Sequence, residues 1–142
     1  MPLHLIKLAV GVTDLAHMRK VQAQRRKERR QKTGSPYYVF TRNTPRRAEA
    51  LLDGGSLYWV IKGVVRCRQT LVGFDEDVDE EGRPYCRIKV RRTVVPTAPQ
   101  SWKAFQGWRY LEPAQAPPDL SRGDSDDLPP DMAAELRKLG LL

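Results

Sequence analysis

Two strand-like runs, residues 64–74 (VVRCRQTLVGF) and 84–95 (PYCRIKVRRTVV), flank the acidic stretch DEDVDEEGR. Both runs are rich in β-branched residues, and the stretch between them offers Gly82 for a turn, so the chain is expected to build a long hairpin. A hairpin of this length must satisfy two faces. With Phe74 set opposite Tyr85, Thr70 lies opposite Lys89 and Arg68 opposite Arg91 on one face, while Leu71 with Ile88 and Gln69 with Val90 fill the other. Arg66, Arg68, Arg87, Lys89 and Arg91 then share a surface. Like charges facing one another across strands repel, so this face is expected to meet solvent, an acidic segment or a polyanion. Cys67 and Cys86 fall on the apolar face, several residue pairs apart. At ~3.3 Å per residue they are too distant to bridge, and they read as inert core thiols.

The remaining elements arrange themselves around this hairpin. LHLIKLAV, residues 3–10, reads as a buried first strand, with His4 as a strand-end histidine rather than a ligand. Thr13 or Asp14 can N-cap a helix running to Lys32, with Gly34 as its stop and Pro36 beyond. YYVFT, residues 37–41, is a second strand. NTPRRAEALLDGG spells a short helix with Asn43 or Thr44 as N-cap, Pro45 at the first helical position and Gly54 or Gly55 at the end. Those glycines close a helix instead of opening one, so GGSLYWVIKG is not a phosphate-cradling loop. SLYWVIK is a third strand, with Leu57, Trp59 and Ile61 on one face and Tyr58, Val60 and Lys62 on the other.

Charge is unevenly distributed. The formal net charge of +8 divides into 22 Lys+Arg against 11 Asp+Glu over residues 1–112, and 3 against 6 over the remaining 30. An excess of this size favours polyanions through counterion release, with nucleic acid as the first candidate partner and an anionic membrane surface as the second. RRKERRQK, residues 25–32, concentrates the charge on the first helix. The pairs Arg25/Arg29 and Arg26/Arg30 set like charges one turn apart, at a few tenths of a kcal/mol each. A phosphate backbone would compensate them; a solvated, frayed helix end would tolerate them. Arg46 and Arg47 sit near a helix N-terminus, where the dipole disfavours cations.

The segment SWKAFQGWRYLEP gathers Trp102, Phe105, Trp108 and Tyr110 around Gln106 and Arg109. Alternation after Gly107 predicts a closing strand with Trp108 and Tyr110 on one side. These aromatics can stack bases or plug the end of a small barrel. Residues 113–130 are rich in proline and acid and are expected to be an extended or disordered linker. Residues 131–142 can form a short helix with Met132, Leu136 and Leu139 as its stripe; this tail is expected to dock on the domain or on a protein partner, or to mimic nucleic acid on the basic face.

The first residues lack a basic leader and a small-residue cleavage site, and no run approaches the ~18 apolar residues that span a bilayer. The expectation is a cytoplasmic domain that neither crosses nor binds a membrane, of α+β class: a small, strongly bent mixed β-sheet or barrel with two helices packed outside it. No cofactor, metal site or catalytic residue is expected. The expected function is RNA or nucleic-acid binding without catalysis. Arg25, Arg26, Arg29, Arg30, Arg66, Arg68, Arg87, Lys89 and Arg91 would contact phosphates. Trp102, Trp108 and Tyr110 would stack bases, and Lys62, Gln69, Gln106 and Arg109 would read base edges. A protein-interaction or assembly factor is the alternative, and an enzyme with Tyr58, Lys62 and Arg109 converging on a pocket comes third.

LHLIKLAVGV, RRAEALLDGGSLYWVIKGVVRCRQ and FQGWRYLEPAQAPPDL together resemble a proteobacterial family catalogued as domain-of-unknown-function family 1489, over residues 3–120. The resemblance implies no activity, cofactor or site residue, and it leaves residues 121–142 outside. The architecture is also similar to PUA-like barrels and their ASCH and EVE relatives, modules that commonly bind RNA or modified bases.

Overall fold

The computed structural model describes residues 2–32 and 34–120. In chain order the elements are β1 (His4–Leu8), α1 (Leu15–Glu28), β2 (Tyr37–Thr41), α2 (Ala48–Leu52), β3 (Ser56–Ile61), β4 (Val64–Val78), β5 (Pro84–Val90), β6 (Val95–Ser101) and β7 (Trp108–Leu111), followed by a 3-10 turn, Pro113–Gln115. Seven strands form one mixed sheet in the order β2-β5-β4-β3-β1-β7, with β6 also paired to β4. The sheet is open, so of the two expected forms the bent sheet is realised and the closed barrel is not.

The bend resides in β4. Its first half lies between β3 and β6, and its second half pairs with β5, after a bulge between Leu71 and Gly73. A bulge adds one residue and turns the strand, so a single strand of 15 residues serves two ladders at an angle. The alternation of LYWVI is satisfied on both sides. Leu57, Trp59 and Ile61 enter the larger core with Leu5, Leu15, Met18, Tyr37, Leu51, Cys67, Ile88 and Val90, while Tyr58 and Val60 join Ile6, Val65 and Leu111 in a smaller core on the reverse face. Each fully buried Leu or Ile contributes roughly 1.5–3 kcal/mol.

The hairpin register differs from the expected one. Phe74 lies opposite Ile88, not Tyr85, and β4 continues through Asp75, Glu76 and Asp77 to Val78, which pairs with Pro84. The acidic stretch is therefore mostly strand, and only residues 79–83 turn. Asp79 builds that turn: its Oδ1 accepts from the backbone N–H of Glu81 and Arg83. The apolar face is nevertheless the one expected, because the bulge at Val72 shifts parity and keeps Leu71, Cys86, Ile88 and Val90 in the core.

Helix α1 begins as its sequence predicts. Asp14 caps it, accepting from His17 N–H at 2.7 Å. It ends earlier than expected, at Glu28, because Arg30 adopts a left-handed conformation (φ 54°). Gln31 N–H donates to Arg26 O and Arg30 N–H to Lys27 O, the paired closure of a Schellman motif. Helix α2 starts at Ala48, with Arg47 as an N-cap that makes no side-chain bond; Pro45 and Arg46 lie outside it. Gly55 is obligatory where α2 gives way to β3: a Cβ there would collide with the carbonyl oxygens of Leu3 and Leu51.

β6 was not foreseen, since Pro96 and Pro99 argue against an interior strand; it lies off the main strand path, where missing donors are tolerated. The segment after β7 runs along it. Thr97 bridges to Asp119, Ala98 N–H donates to Pro118 O, and Leu120 N–H donates to Pro96 O. Residues 113–120 are thus tied down, while the predicted linker beyond 120 and the helix over 131–142 lie outside the described residues. No helix among the described residues is long and apolar enough to cross a membrane.

Candidate nucleic-acid interface

The hairpin places the expected cationic face where carboxylates answer it. Arg87 pairs with Asp77 and Lys89 with Asp75, each at 3.4 Å and each diagonal across β4 and β5. Arg68 grips Asp119 through two bonds of 2.7 and 2.8 Å and also donates to Ser56 Oγ. That grip holds the Asp119 carboxyl below its ordinary pKa and raises Arg68. Arg66 is only 7% exposed. Arg68 faces Tyr58 and Val95, not Arg91. Arg91 is exposed and makes no ion pair among the described residues. The acids come from the extended β4 and from residue 119, both read as loop or linker from sequence, so the basic sheet face is largely an internal ion-pair ladder.

The aromatic segment is likewise divided. Trp108 and Tyr110 contact each other edge to face, with centroids 4.9 Å apart, and pack against the larger core. Trp108 Nε1 donates to Asn43 O, and the Tyr110 hydroxyl accepts from the backbone N–H of Arg46 and Arg47 at 3.0 and 3.1 Å. Arg47 lies 5.7 Å over the Tyr110 ring. The two arginines that looked misplaced at a helix start are held by this ring and hydroxyl. Trp102 and Phe105 pack on the reverse face, with Arg109 over Phe105 and bonded to Gln106 O. Trp102, on the reverse face, therefore makes no common stacking platform with Trp108 and Tyr110; Tyr58 and Arg109 both flank Ile6 in the sheet, whereas Lys62 lies in a turn. Lys62, at φ 50°, forms with Gly63 the two-residue turn joining β3 to β4.

Gln69 is fully buried and reads no base. Its Oε1 accepts from Trp59 Nε1 and Gln22 Nε2, both at 2.8 Å, and its Nε2 donates to Gln22 Oε1 (2.8 Å) and Arg91 O (3.0 Å). All four bonding positions of this amide are used, and the network ties α1 to the sheet and to the segment after β5.

What remains open is α1. Between Arg19 and Lys32 the chain has eight cations and one acid, Glu28. None of the eight makes an ion pair among the described residues, and Glu28 accepts only from Gln24. On one flank Arg25 donates to the Tyr37 hydroxyl, and Arg29 donates to Tyr38 O while its guanidinium lies 4.7 Å over Phe40. Phe40, 47% exposed, meets the half-buried Tyr85 at 5.9 Å, so an aromatic pair adjoins this flank. On the other flank a cleft of about 600 Å³ opens between α1 and residues 92–94, lined by Arg19, Arg26 and Arg92. Burial, and then the charge of Arg92, lower the pKa of Arg26. Arg19, Arg92, Phe40 and Tyr85 are not among the contact residues expected from the sequence. The signals were present: Arg19 and Arg26 are two helical turns apart, and Phe40 alternates outward from Tyr37 and Val39.

Titratable groups elsewhere are structural. His4 Nδ1 accepts from Ser56 N–H at 3.0 Å, which requires the neutral ring, and burial followed by Arg68 lowers its pKa. Burial pushes Cys67 up to about 12 and also raises Cys86. Among the described residues no three His, Cys, Asp or Glu side chains cluster to hold a metal ion.

No curated protein matches the chain, and no solved structure does. One family model matches over residues 5–142, continuing past residue 120, where the resemblance in sequence had stopped. The chain is therefore a member of the family described as Protein of unknown function (DUF1489).

Proposed function

We propose that this domain binds nucleic acid, with single-stranded RNA in first place, through α1 and its two flanks. The observation that carries the reading is the charge over residues 19–32, eight cations against one acid with no ion pair among the described residues, beside a sheet face whose Arg68, Arg87 and Lys89 are matched by Asp119, Asp77 and Asp75. Like charges at helical spacing raise the energy of the free domain, and phosphates would relieve that repulsion while releasing counterions. The Phe40–Tyr85 pair beside Arg29 adds ring faces on which unpaired bases can stack, a combination suited to single strands. No catalytic role is assigned to any residue. A cytoplasmic location, with both thiols buried and free, accords with this reading.

The test is fluorescence anisotropy of a labelled single-stranded RNA against the wild type and a Lys20→Gln/Lys27→Gln/Arg30→Gln variant over a salt series. Loss of ~10–100-fold in affinity at low salt is expected, with the salt slope reduced by about two. Arg87→Gln/Lys89→Gln should leave both quantities nearly unchanged. Failure of the wild type to bind RNA at low salt, or equal binding by the α1 variant, overturns the reading.

A further inference from the structure

The cleft between α1 and residues 92–94 is a built feature, because one buried network holds both of its walls. Gln22, 2% exposed, lies in the cleft lining and locks to Gln69, whose Nε2 also holds Arg91 O. Arg19 reaches Val94 O at 3.5 Å across the opening. Three guanidinium groups, Arg19, Arg26 and Arg92, line the cleft, and among the described residues no carboxylate does. The volume lies in the ~300–1,000 Å³ range of small-ligand sites. Guanidinium groups gathered without a counter-charge form a ready site for an oxyanion that accepts paired N–H bonds.

We infer that this cleft takes a phosphomonoester, the terminal phosphate of a nucleic-acid chain or of a free nucleotide. The inference rests on the nucleic-acid reading above only for the first of these sources. A mid-chain phosphodiester carries one negative charge, whereas a monoester carries about −1.5 to −2 at neutral pH and offers three oxygens, which better matches three guanidinium groups. Thr93, also in the lining, supplies a hydroxyl able to bond one of those oxygens.

The experiment compares a ten-nucleotide RNA bearing a 5′-phosphate with the same RNA bearing a 5′-hydroxyl, and titrates adenosine 5′-monophosphate against adenosine by calorimetry. The wild type is expected to prefer the phosphorylated RNA by about tenfold, the effect of one charge-assisted contact. Arg26→Gln/Arg92→Gln should abolish the preference, while Lys20→Gln/Lys27→Gln should weaken both RNAs and keep it. Because the first variant relieves repulsion, its melting temperature should be no lower than that of the wild type. Equal binding of the two RNAs overturns the cleft inference and leaves the nucleic-acid reading standing. Binding of the mononucleotide, lost in Arg26→Gln/Arg92→Gln, without binding of either RNA supports the cleft and overturns the nucleic-acid reading. No binding of any probe overturns both.

Discussion

Replacing Gln69 by Met keeps the length of the side chain and removes its four hydrogen bonds. Trp59 Nε1–H, both ends of the Gln22 amide and Arg91 O would lose a partner inside the core. At the low end of ~1 kcal/mol for each buried group left unsatisfied, the cost is about 4 kcal/mol, a large part of the roughly 5–15 kcal/mol that stabilises a domain. Gln22→Met should cost much less, about 1 kcal/mol, because Gln69 keeps Trp59 and Arg91 as partners. The double variant leaves only Trp59 Nε1–H and Arg91 O without Gln69, about 2 kcal/mol, and is therefore more stable than Gln69→Met alone. The implied coupling is about 3 kcal/mol, at the top of the range for contacting residues. Urea denaturation of the four proteins, compared at constant m, measures this cycle. A cost below 1 kcal/mol for Gln69→Met, or simple additivity in the double variant, would refute the assignment of the amide network.

Three further outcomes are expected. Arg30→Gly and Lys62→Asn each place a residue better suited to a positive φ, at 54° and 50° respectively, and should each stabilise by ~0.5–1 kcal/mol in thermal or urea unfolding; Arg30→Gly should also weaken RNA binding. His4 is neutral when folded and its pKa is lowered from 6.5, so its contribution to stability is fully present above pH 6.5 and declines as pH falls through the lowered folded value. His4→Asn, which keeps an acceptor for Ser56 N–H, should flatten the stability–pH curve in that window, as followed by denaturant midpoints. Cys67, whose thiol is pushed up to about 12, should react with a thiol reagent only at the rate of unfolding, so mass spectrometry of the native protein should find it unmodified.

The elements written in strong alternation were legible in the chain: YYVFT forms β2 over the residues expected, and LYWVI divides its side chains between the two cores. Asp14 was legible as a cap because few residue types serve there. The hairpin register was not, because Asp75, Glu76 and Asp77 resemble loop until the cations opposite them are considered. Pairing Asp75 and Asp77 with Lys89 and Arg87 would have supplied the register, since diagonal neighbours of opposite charge favour one alignment. β6 was hidden by its prolines, which argue against an interior strand. Of the expected phosphate contacts, Arg25, Arg26, Arg29 and Arg30 lie on the open α1 surface. Arg68 is committed to Asp119, an acid brought by tertiary structure that no local pattern encodes, and Arg87 and Lys89 to Asp77 and Asp75 across the hairpin. Trp108 and Tyr110 illustrate the same limit: nothing in WRYL reveals that both would be spent on holding the backbone of residues 43–47.

The place of β1 has a consequence for synthesis. It is parallel to β3 on one side and antiparallel to β7 on the other, so His4 is paired with Leu111, more than a hundred residues later. A nascent chain leaving the ribosome must keep that second edge of its first strand bare until almost the whole described domain has emerged. Premature partners would compete for it throughout, and translation of the final strand, not of the hairpin, sets the moment at which the sheet can be completed.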